Sequence, residues 1–353
     1  MKVALITDTH WGVRNDSIAF ADYFKKFYDT VFFPYLDENN IDTIIHLGDI
    51  VERRKFINFN TAARLDEDFM QKCKNRNLYL IIGNHDSFYK NTLSVNSIQQ
   101  LYGNRTYPGM QIISEPTEIQ LDSCKLVLMP WMCQDNMEQA VNLINTTSAQ
   151  VLMGHLELAG FEMYKGSVID HGMDSSLFSK FDMVMTGHYH HKSTKGNINY
   201  LGCPYEITWS DFGDQKGFHV FDTETRELEF IPNPYKMFNK LHYNDATNDI
   251  NRINDSMFEY YRGSYVKVIV HNKNNPYLFD TFIDRLEKAE PLGIQVVDDN
   301  HHLDLEDADD IVSEAEDTLT ILKKFVDNIE LSTDKTQIDR FLTELYSEAV
   351  ALQ

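Results

Sequence analysis

The chain has 353 residues, 42% of them hydrophobic and 24% charged, and a formal charge of −22. This length allows two or three domains, and the composition is that of a globular protein, which excludes disorder throughout. The bulk charge would repel nucleic acid, so any contact with DNA needs a local patch, a bound metal or a partner.

From the N-terminus, short apolar runs alternate with amphipathic segments. Lys2–Thr7, Thr43–Leu47, Leu78–Ile82, Leu126–Met129, Val151–Met153 and Met183–Met185 are too short for helices and suit buried strands. Between them, Asp22–Tyr35 places Tyr23, Phe24, Phe27, Val31 and Phe32 near helical spacing, and Thr61–Cys73 does the same with Ala62, Leu65, Phe69 and Cys73. Strands alternating with helices predict an α/β sandwich with helices outside. Two prolines at Ile231-Pro232-Asn233-Pro234 mark a boundary. Beyond it the pattern reads as a small β-α-β unit: strand Tyr265–Val270, helix Tyr277–Ala289 with Leu278, Phe282 and Leu286 on one face, and strand Gly293–Val297. Residues 298–353 hold 16 acids against 4 bases, and the stretch Asp298–Asp310 reads as a linker. Two amphipathic helices are expected after it. The first carries Ile311, Leu319, Leu322 and Phe325, the second Ile338, Phe341, Leu342 and Leu345. Taken alone, that pattern favours a helical hairpin closing on the fold over a docking module.

No apolar run approaches the ~20 residues of a membrane span. Met1–Asp8 meets an acid too early for a signal-peptide core. The cysteines Cys73, Cys124, Cys133 and Cys203 form no C-x-x-C pair, which points to reduced thiols in a cytoplasmic protein.

Five motifs fall at or just after the apolar runs: Asp8-Thr9-His10, Gly48-Asp49, Gly83-Asn84-His85-Asp86, Gly154-His155 and Gly187-His188-Tyr189-His190. Strand C-termini open into the ligand-binding edge of α/β folds, so all five can converge. Carboxylate, imidazole and amide donors without thiolate suit Mn²⁺, Fe²⁺ or Zn²⁺. Extended alternation would let both members of D-x-H or H-x-H reach one ion. A glycine before each ligand would let the backbone turn beside it. Each motif alone is common, and a buried, satisfied histidine is the plainer explanation for any one of them. The ordered set, each member at a strand end, is what points to a metal centre.

The set resembles the calcineurin-like metallophosphoesterase superfamily over about residues 1–230. That resemblance implies a double-sheet sandwich flanked by helices, enclosing two divalent metal ions. It implies that Asp8, His10, Asp49 and His190 hold one metal, and that Asp49, Asn84, His155 and His188 hold the other, with Asp49 shared. It implies further that His85 is the catalytic histidine, with Asp86 orienting it through a hydrogen bond. Such a pair of cations, about 3.5–4 Å apart, clamps a phosphate and activates water for in-line attack.

Within the superfamily, Gly83–Asn91, Met129–Cys133, Gly154–Phe161, Tyr200–Tyr205 and Gly217–Thr225 resemble the SbcD-type double-strand-break repair nucleases, most nearly their T-even-type bacteriophage branch. This resemblance runs more weakly past residue 232. It implies a Mn²⁺-dependent DNA exonuclease and endonuclease, with a nuclease domain at 1–232, a small α+β DNA-capping domain at 233–298, an acidic linker at 299–310 and a helical segment at 311–353. Those helices would bind the coiled coil of an SbcC-type ABC ATPase, with Ile338, Phe341, Leu342 and Leu345 in the groove, in a heterotetramer built on a homodimer of the nuclease. The chain has no G-x-x-x-x-G-K-[ST] loop, so ATP hydrolysis belongs to the partner. Arg53, Arg54, Lys55 and Lys90 form a local basic patch beside the motifs, the expected DNA contact; a solvated surface turn is the plainer alternative. Family members often carry His or Asp three residues after the Gly-Asp aspartate, where this chain has Glu52. The alternative reading is a non-nuclease phosphodiesterase or phosphatase of the same superfamily. His46 is expected in the core, His171 and His191 as loop residues, and Trp131 and Trp209 as core or loop anchors.

Overall fold

In a computed structural model, residues 1–104, 107–246 and 257–298 are described. The expected acidic linker and terminal helices, with Ile338, Phe341, Leu342 and Leu345, lie outside the described residues.

Each apolar run forms a strand, and the flanking segments add more. In chain order these are β1 (Lys2–Ile6), β2 (Thr43–His46), β3 (Asn77–Ile81), β4 (Met110–Ile113), β5 (Thr117–Leu121), β6 (Cys124–Met129) and β7 (Val151–His155). There follow β8 (Glu162–Tyr164), β9 (Ser167–Val168), β10 (Met183–Gly187), β11 (Ser193–Lys195), β12 (Ile198–Tyr200), β13 (Gly217–Asp222) and β14 (Leu228–Pro232). One six-stranded sheet has the order β14-β13-β1-β2-β3-β4 and the other β11-β12-β10-β7-β6-β5. Strands β1, β2, β3 and β4 are mutually parallel, as are β6, β7, β10 and β12. The two sheets face each other over one apolar core, with Leu5, Ile45 and Ile81 from the first meeting Leu128, Met153 and Met185 from the second. Strands buried on both faces read as continuous apolar runs, which is why they stand out in the sequence.

Helix Ile18–Phe27 buries Phe20, Tyr23, Phe24 and Phe27. It begins four residues earlier than the spacing suggests and does not run through to Tyr35 as one α-helix. A π-helical turn, Tyr28–Phe32, intervenes before Phe33–Glu38. Pro34 has no N–H to continue the α-helical ladder, and the wider turn meets that break. Its aromatic face packs on Tyr205, whose ring stacks on Phe24 with centroids 3.8 Å apart and whose hydroxyl donates to the Thr9 carbonyl at 2.7 Å. The helix thereby braces the loop that follows β1. The second helical pattern is helix Phe59–Asp68 closed by a 3₁₀ turn, Met70–Cys73.

Past Pro234 the chain builds β15 (Phe238–Asn244), β16 (Tyr265–Asn272), a helix at Pro276–Lys288 and β17 (Gly293–Asp298). The sheet order is β15-β16-β17, and Phe279, Phe282 and Leu286 cover it with Val266, Val268 and Val270 in a core of their own. The β-α-β pattern therefore has a third strand, β15, parallel to β16. Its alternation is broken at Phe238-Asn239, which leaves only Leu241 and Tyr243 as a periodic apolar signal. Met1–Ile207 and Asp211–Val297 make one compact unit. Glu206, fully buried, helps join its parts by accepting the Met237 and Phe238 N–H groups at 2.8 and 2.9 Å. All four cysteines are free and buried. Among the described residues, no helix is long and apolar enough to cross a membrane.

Candidate metal centre

The parallel strands of both sheets aim their C-terminal ends at one place, and the five motifs meet there. Asp8 and His10 follow β1, Asp49 follows β2 and Asn84 follows β3. His155 ends β7, and His188 and His190 follow β10.

Two groups of donors result. Ligand-capable atoms of Asp8, His10 and His190 lie within 4.8 Å of one another, as do those of Asp49, His155 and His188. Asn84 joins the second group, its Oδ1 lying 2.9 Å from His155 Nε2 and 3.1 Å from His188 Nδ1. The backbone brings the side chains together by a route other than the expected extended alternation. Asp8, His10, Asp49 and His188 have φ of 51°, 44°, 53° and 89°, in the left-handed region. Non-glycine residues pay about 1–3 kcal/mol each for such backbone, and such residues cluster at functional sites. The loops hold one another in this shape: Asp8 N–H donates to the Gly48 carbonyl at 3.0 Å and His10 N–H to the Asp49 carbonyl at 3.1 Å.

Two glycines show what the motifs require. Gly48 has φ +100°, and a Cβ there would lie 2.5 Å from His155 Nδ1. At Gly187 a Cβ would lie 1.9 Å from Thr7 Oγ1 and 2.8 Å from Asp8 Oδ2. Close approach to the Thr7 hydroxyl and the Asp8 carboxylate, more than turning, accounts for Gly187.

The hydrogen bonds test whether a metal fits. His155 Nδ1 lies 2.8 Å from the Leu47 carbonyl, so Nδ1 carries the hydrogen. In the neutral ring Nε2 then has only a lone pair, yet it faces Asn84 Oδ1 at 2.9 Å and Asp49 Oδ2 at 3.2 Å. His10 is held in a similar way, although its neighbour is a second imidazole that can donate or accept. Its Nδ1 is 2.6 Å from Glu52 Oε2, and its Nε2 is 3.0 Å from His190 Nε2. Lone pairs converging in a buried space need a cation between them, a proton or a metal. Without metal, protons serve. Burial disfavours the charged rings, but the carboxylates around them outweigh it: Glu52, Asp49 and Asp8 raise His10 to about 10, and Asp49 and Asp8 raise His155 to about 9. Burial pushes the Asp8 carboxyl up, with Asp49 adding to the effect, whereas His155, His85 and His10 hold Asp49 well below the usual range against its burial. Burial, then His10 and Lys216, keep His190 neutral. The donor set suits hard or borderline divalent cations.

Asp86 requires a correction. The expected Asp86–His85 hydrogen bond is not made. Asp86, fully buried, accepts the N–H groups of Ile50 and Val51 on Oδ1 at 2.9 and 3.1 Å and that of Gly83 on Oδ2 at 2.9 Å. It ties the loop after β2 to the loop after β3. The residue that orients His85 is Glu52, whose carbonyl accepts from His85 Nδ1 at 2.6 Å, while His85 N–H donates to Asp49 Oδ1 at 2.8 Å. Glu52 thus touches His10 with its side chain and His85 with its backbone.

The basic residues divide. Arg53 is committed to Asp16 at 2.6 Å and Asn15 at 2.7 Å, and Arg54 donates to the Ser87 carbonyl at 3.2 Å. Lys55 and Lys90 are exposed. His46 is buried in β2, where Gly48 N–H donates to its Nδ1 at 3.2 Å. His171 is exposed and contacts Glu157, and His191 pairs with Asp214. Trp131 is more than an anchor, since its ring lies 5.0 Å from that of His188 and 6.0 Å from that of His155. Lys216 carries no signal in the sequence, where it is one lysine in a loop. It is 2% exposed and donates to the His190 carbonyl at 2.8 Å, between Asp211 at 2.7 Å and Asp214 at 3.0 Å.

Residues 1–192 match the calcineurin-like phosphoesterase family. The chain belongs to that family. Among curated proteins, this phosphoesterase is 34% identical over 249 residues to exonuclease subunit 1 of Enterobacteria phage T4, an alignment covering 69% of this chain and 71% of that one. It is 23% identical to the SbcD component of the SbcCD nuclease of Staphylococcus epidermidis, covering 66% and 69% of the two chains. It is 24% identical to the SbcD component of the same nuclease from Staphylococcus saprophyticus, again covering 66% and 69%.

Proposed function

We propose that this phosphoesterase is the nuclease subunit of an ATPase-coupled complex for DNA recombination and double-strand-break repair. It would act in the cytoplasm as a Mn²⁺-dependent exonuclease and endonuclease. The observation that carries the reading is the pair of buried donor groups, in one of which His10 Nε2 abuts His190 Nε2, while in the other His155 Nε2 faces the oxygens of Asn84 and Asp49. Asp8, His10, Asp49 and His190 would hold one cation; Asp49, Asn84, His155 and His188 the other. When bound, two divalent cations neutralise a phosphodiester and activate water for in-line attack.

The chain's own residues do the rest. Glu52 holds His10 and His85 in orientation, as partners behind metal-binding histidines commonly do. With Nδ1 engaged by the Glu52 carbonyl, His85 has Nε2 as its working nitrogen, placed to protonate the departing oxygen. Asp86 holds the loops in register and takes no part in proton transfer. Trp131 walls His155 and His188. Lys55, Lys90 and the remaining face of Arg54 supply local positive charge for the DNA backbone, with Arg53 bracing the turn. Residues 233–298 would cap the DNA, and Ile338, Phe341, Leu342 and Leu345 would dock on the coiled coil of an SbcC-type ATPase, two copies of each subunit forming the complex. The names of the relatives support this reading.

End-labelled duplex and circular single-stranded DNA, incubated with Mn²⁺ or Mg²⁺ with and without the ATPase, test it. Asp49→Ala is expected to lose both metals and all hydrolysis. His85→Ser is expected to keep its metals and lose ~10²–10⁴-fold in rate. Mn²⁺-dependent cleavage by Asp49→Ala would refute the shared-ligand assignment, and loss of metal from His85→Ser would make His85 a ligand.

A further inference from the structure

Three residues beyond His85 the chain exposes two large aromatic side chains side by side. Phe88 is 38% exposed and Tyr89 48%, and their rings pack edge to face with centroids 4.8 Å apart. Neither belongs to the core clusters of the described residues. Their loop is nonetheless tightly held. Ser87, fully buried, shares its one hydroxyl hydrogen between the carbonyls of Tyr89 at 2.9 Å and Thr92 at 2.8 Å, and Phe88 N–H donates to the Val95 carbonyl at 3.0 Å.

The loop is also continuous with the metal centre on both sides. Asp86, next to Ser87, is the buried carboxylate that joins the β2 and β3 loops. Asp135 N–H donates to the Asn91 carbonyl at 3.1 Å, Thr92 Oγ1 donates to Asp135 at 2.8 Å, and the same turn includes Trp131, whose ring faces His188. Arg54 holds the Ser87 carbonyl, and Lys90 follows directly. A rigid aromatic pair flanked by cations, a few residues from a phosphodiester-cleaving centre, has the chemistry that single-stranded nucleic acid binds: π-faces for bases and positive charge for the backbone. The span from His85 to Phe88 is at most roughly 10–11 Å of extended chain, within one or two nucleotides of a phosphate at the metals.

We propose that Phe88 and Tyr89 form a stacking platform for an unpaired base beside the scissile phosphate, so that the site selects frayed or single-stranded DNA over small phosphodiesters. This rests on the nuclease reading and adds the structural state of the substrate to it. Stacking on aromatic side chains tolerates any base, so the platform gives strand-state selectivity without sequence preference.

The test is steady-state cleavage of a thymidine oligomer and an abasic oligomer of equal length, with Mn²⁺, by the full chain and by Phe88→Ala with Tyr89→Ala. For the wild type, removing the bases is expected to raise KM about 5–150-fold, the equivalent of ~1–3 kcal/mol for a stacked base, with kcat within threefold. The double variant is expected to show that raised KM on the thymidine oligomer already, and to be nearly indifferent to base removal. Phe88→Trp with Tyr89→Phe should restore discrimination. Unchanged metal content and melting temperature identify the effect as local. If the double variant discriminates as the wild type does, or if the wild type cleaves both oligomers equally, the platform is refuted while the nuclease reading stands. If the wild type cleaves neither, the nuclease reading falls, and the platform with it.

Discussion

Loading the metal centre should release about two protons at neutral pH. In the metal-free pocket the lone pairs of His10 Nε2 and His155 Nε2 are separated from their neighbours by protons, because surrounding carboxylates overcome burial and hold the two rings at about 10 and about 9. At pH 7 a group with a pKa near 9 is roughly 99% protonated. Cations that bind these nitrogens must displace both protons. Overall two-metal affinity should then rise by about 100-fold per pH unit between pH 7 and 9 and level off above 10. Calorimetric Mn²⁺ titrations in two buffers of different ionisation enthalpy give the proton count directly. Glu52→Gln removes the charge that most favours protonated His10, so its count at pH 8 should fall toward one. The sign for stability follows from the same shifts. Both folded values exceed the ordinary 6.5, so this contribution to the chelated protein is complete below pH 6.5 and is lost as pH rises through 9 to 10. Metal loading should abolish that decline. Metal affinity independent of pH from 6.5 to 8.5, or no proton release, would refute the assignment of these nitrogens as ligands.

Lys216→Met removes the buried ammonium shared by Asp211, Asp214 and the His190 carbonyl and leaves two carboxylates without their cation, at a cost of about 3–5 kcal/mol; thermal melts should fall by roughly 5–15 °C, and Mn²⁺ affinity should weaken as well. A fall in stability with metal affinity intact would make Lys216 purely structural. Calcium, if it binds without supporting hydrolysis, should allow the chain to hold single-stranded DNA, whereas chelation should release it; fluorescence anisotropy reads both states, and equal binding with and without metal would transfer DNA recognition to the surface lysines. Phe341→Glu with Leu345→Glu should abolish co-elution with the ATPase and spare the free subunit's Mn²⁺-dependent cleavage; normal co-elution would place the partner interface elsewhere, and loss of the free activity would make those helices part of the subunit's own fold.

The sequence was most legible where one-dimensional order encodes three-dimensional convergence. Parallel strands buried on both faces read as apolar runs, and their shared direction puts Asp8, Asp49, Asn84, His155 and His188 at one edge. What the sequence hides is the path of the loops. Left-handed backbone at Asp8, His10 and Asp49 depends on hydrogen bonds between two distant loops, and no dipeptide announces it. For the same reason Gly-Asn-His-Asp invited a His85–Asp86 pairing. Neighbours in sequence diverge in a tight loop, and the Asp86 carboxylate instead collects three backbone N–H groups. Strands β4, β5, β11 and β14 escaped because their outward faces are polar and their apolar content is too sparse for a periodic signal. Phe88 and Tyr89 escaped because an exposed aromatic pair looks, in sequence, like any other apolar pair.

The formal charge of −22 and a DNA substrate stand in tension only if charge is averaged over the molecule. At physiological ionic strength exposed charges are screened beyond ~8 Å, so a charge summed over the whole chain says little about the field at any one phosphate. What counts is the balance inside the cleft. Without metal, the protons on His10 and His155 offset only part of the negative charge that Asp49, Glu52 and Asp86 bring to this region. Exchanging two protons for two divalent cations adds two positive charges in a buried, weakly screened space, next to Arg54 and Lys90. The chain thus becomes locally attractive to a phosphodiester only when it is also able to cut one. Away from the cleft its acidity opposes non-specific adsorption, so a long-range grip on DNA would have to come from the capping region and the partner subunit proposed above.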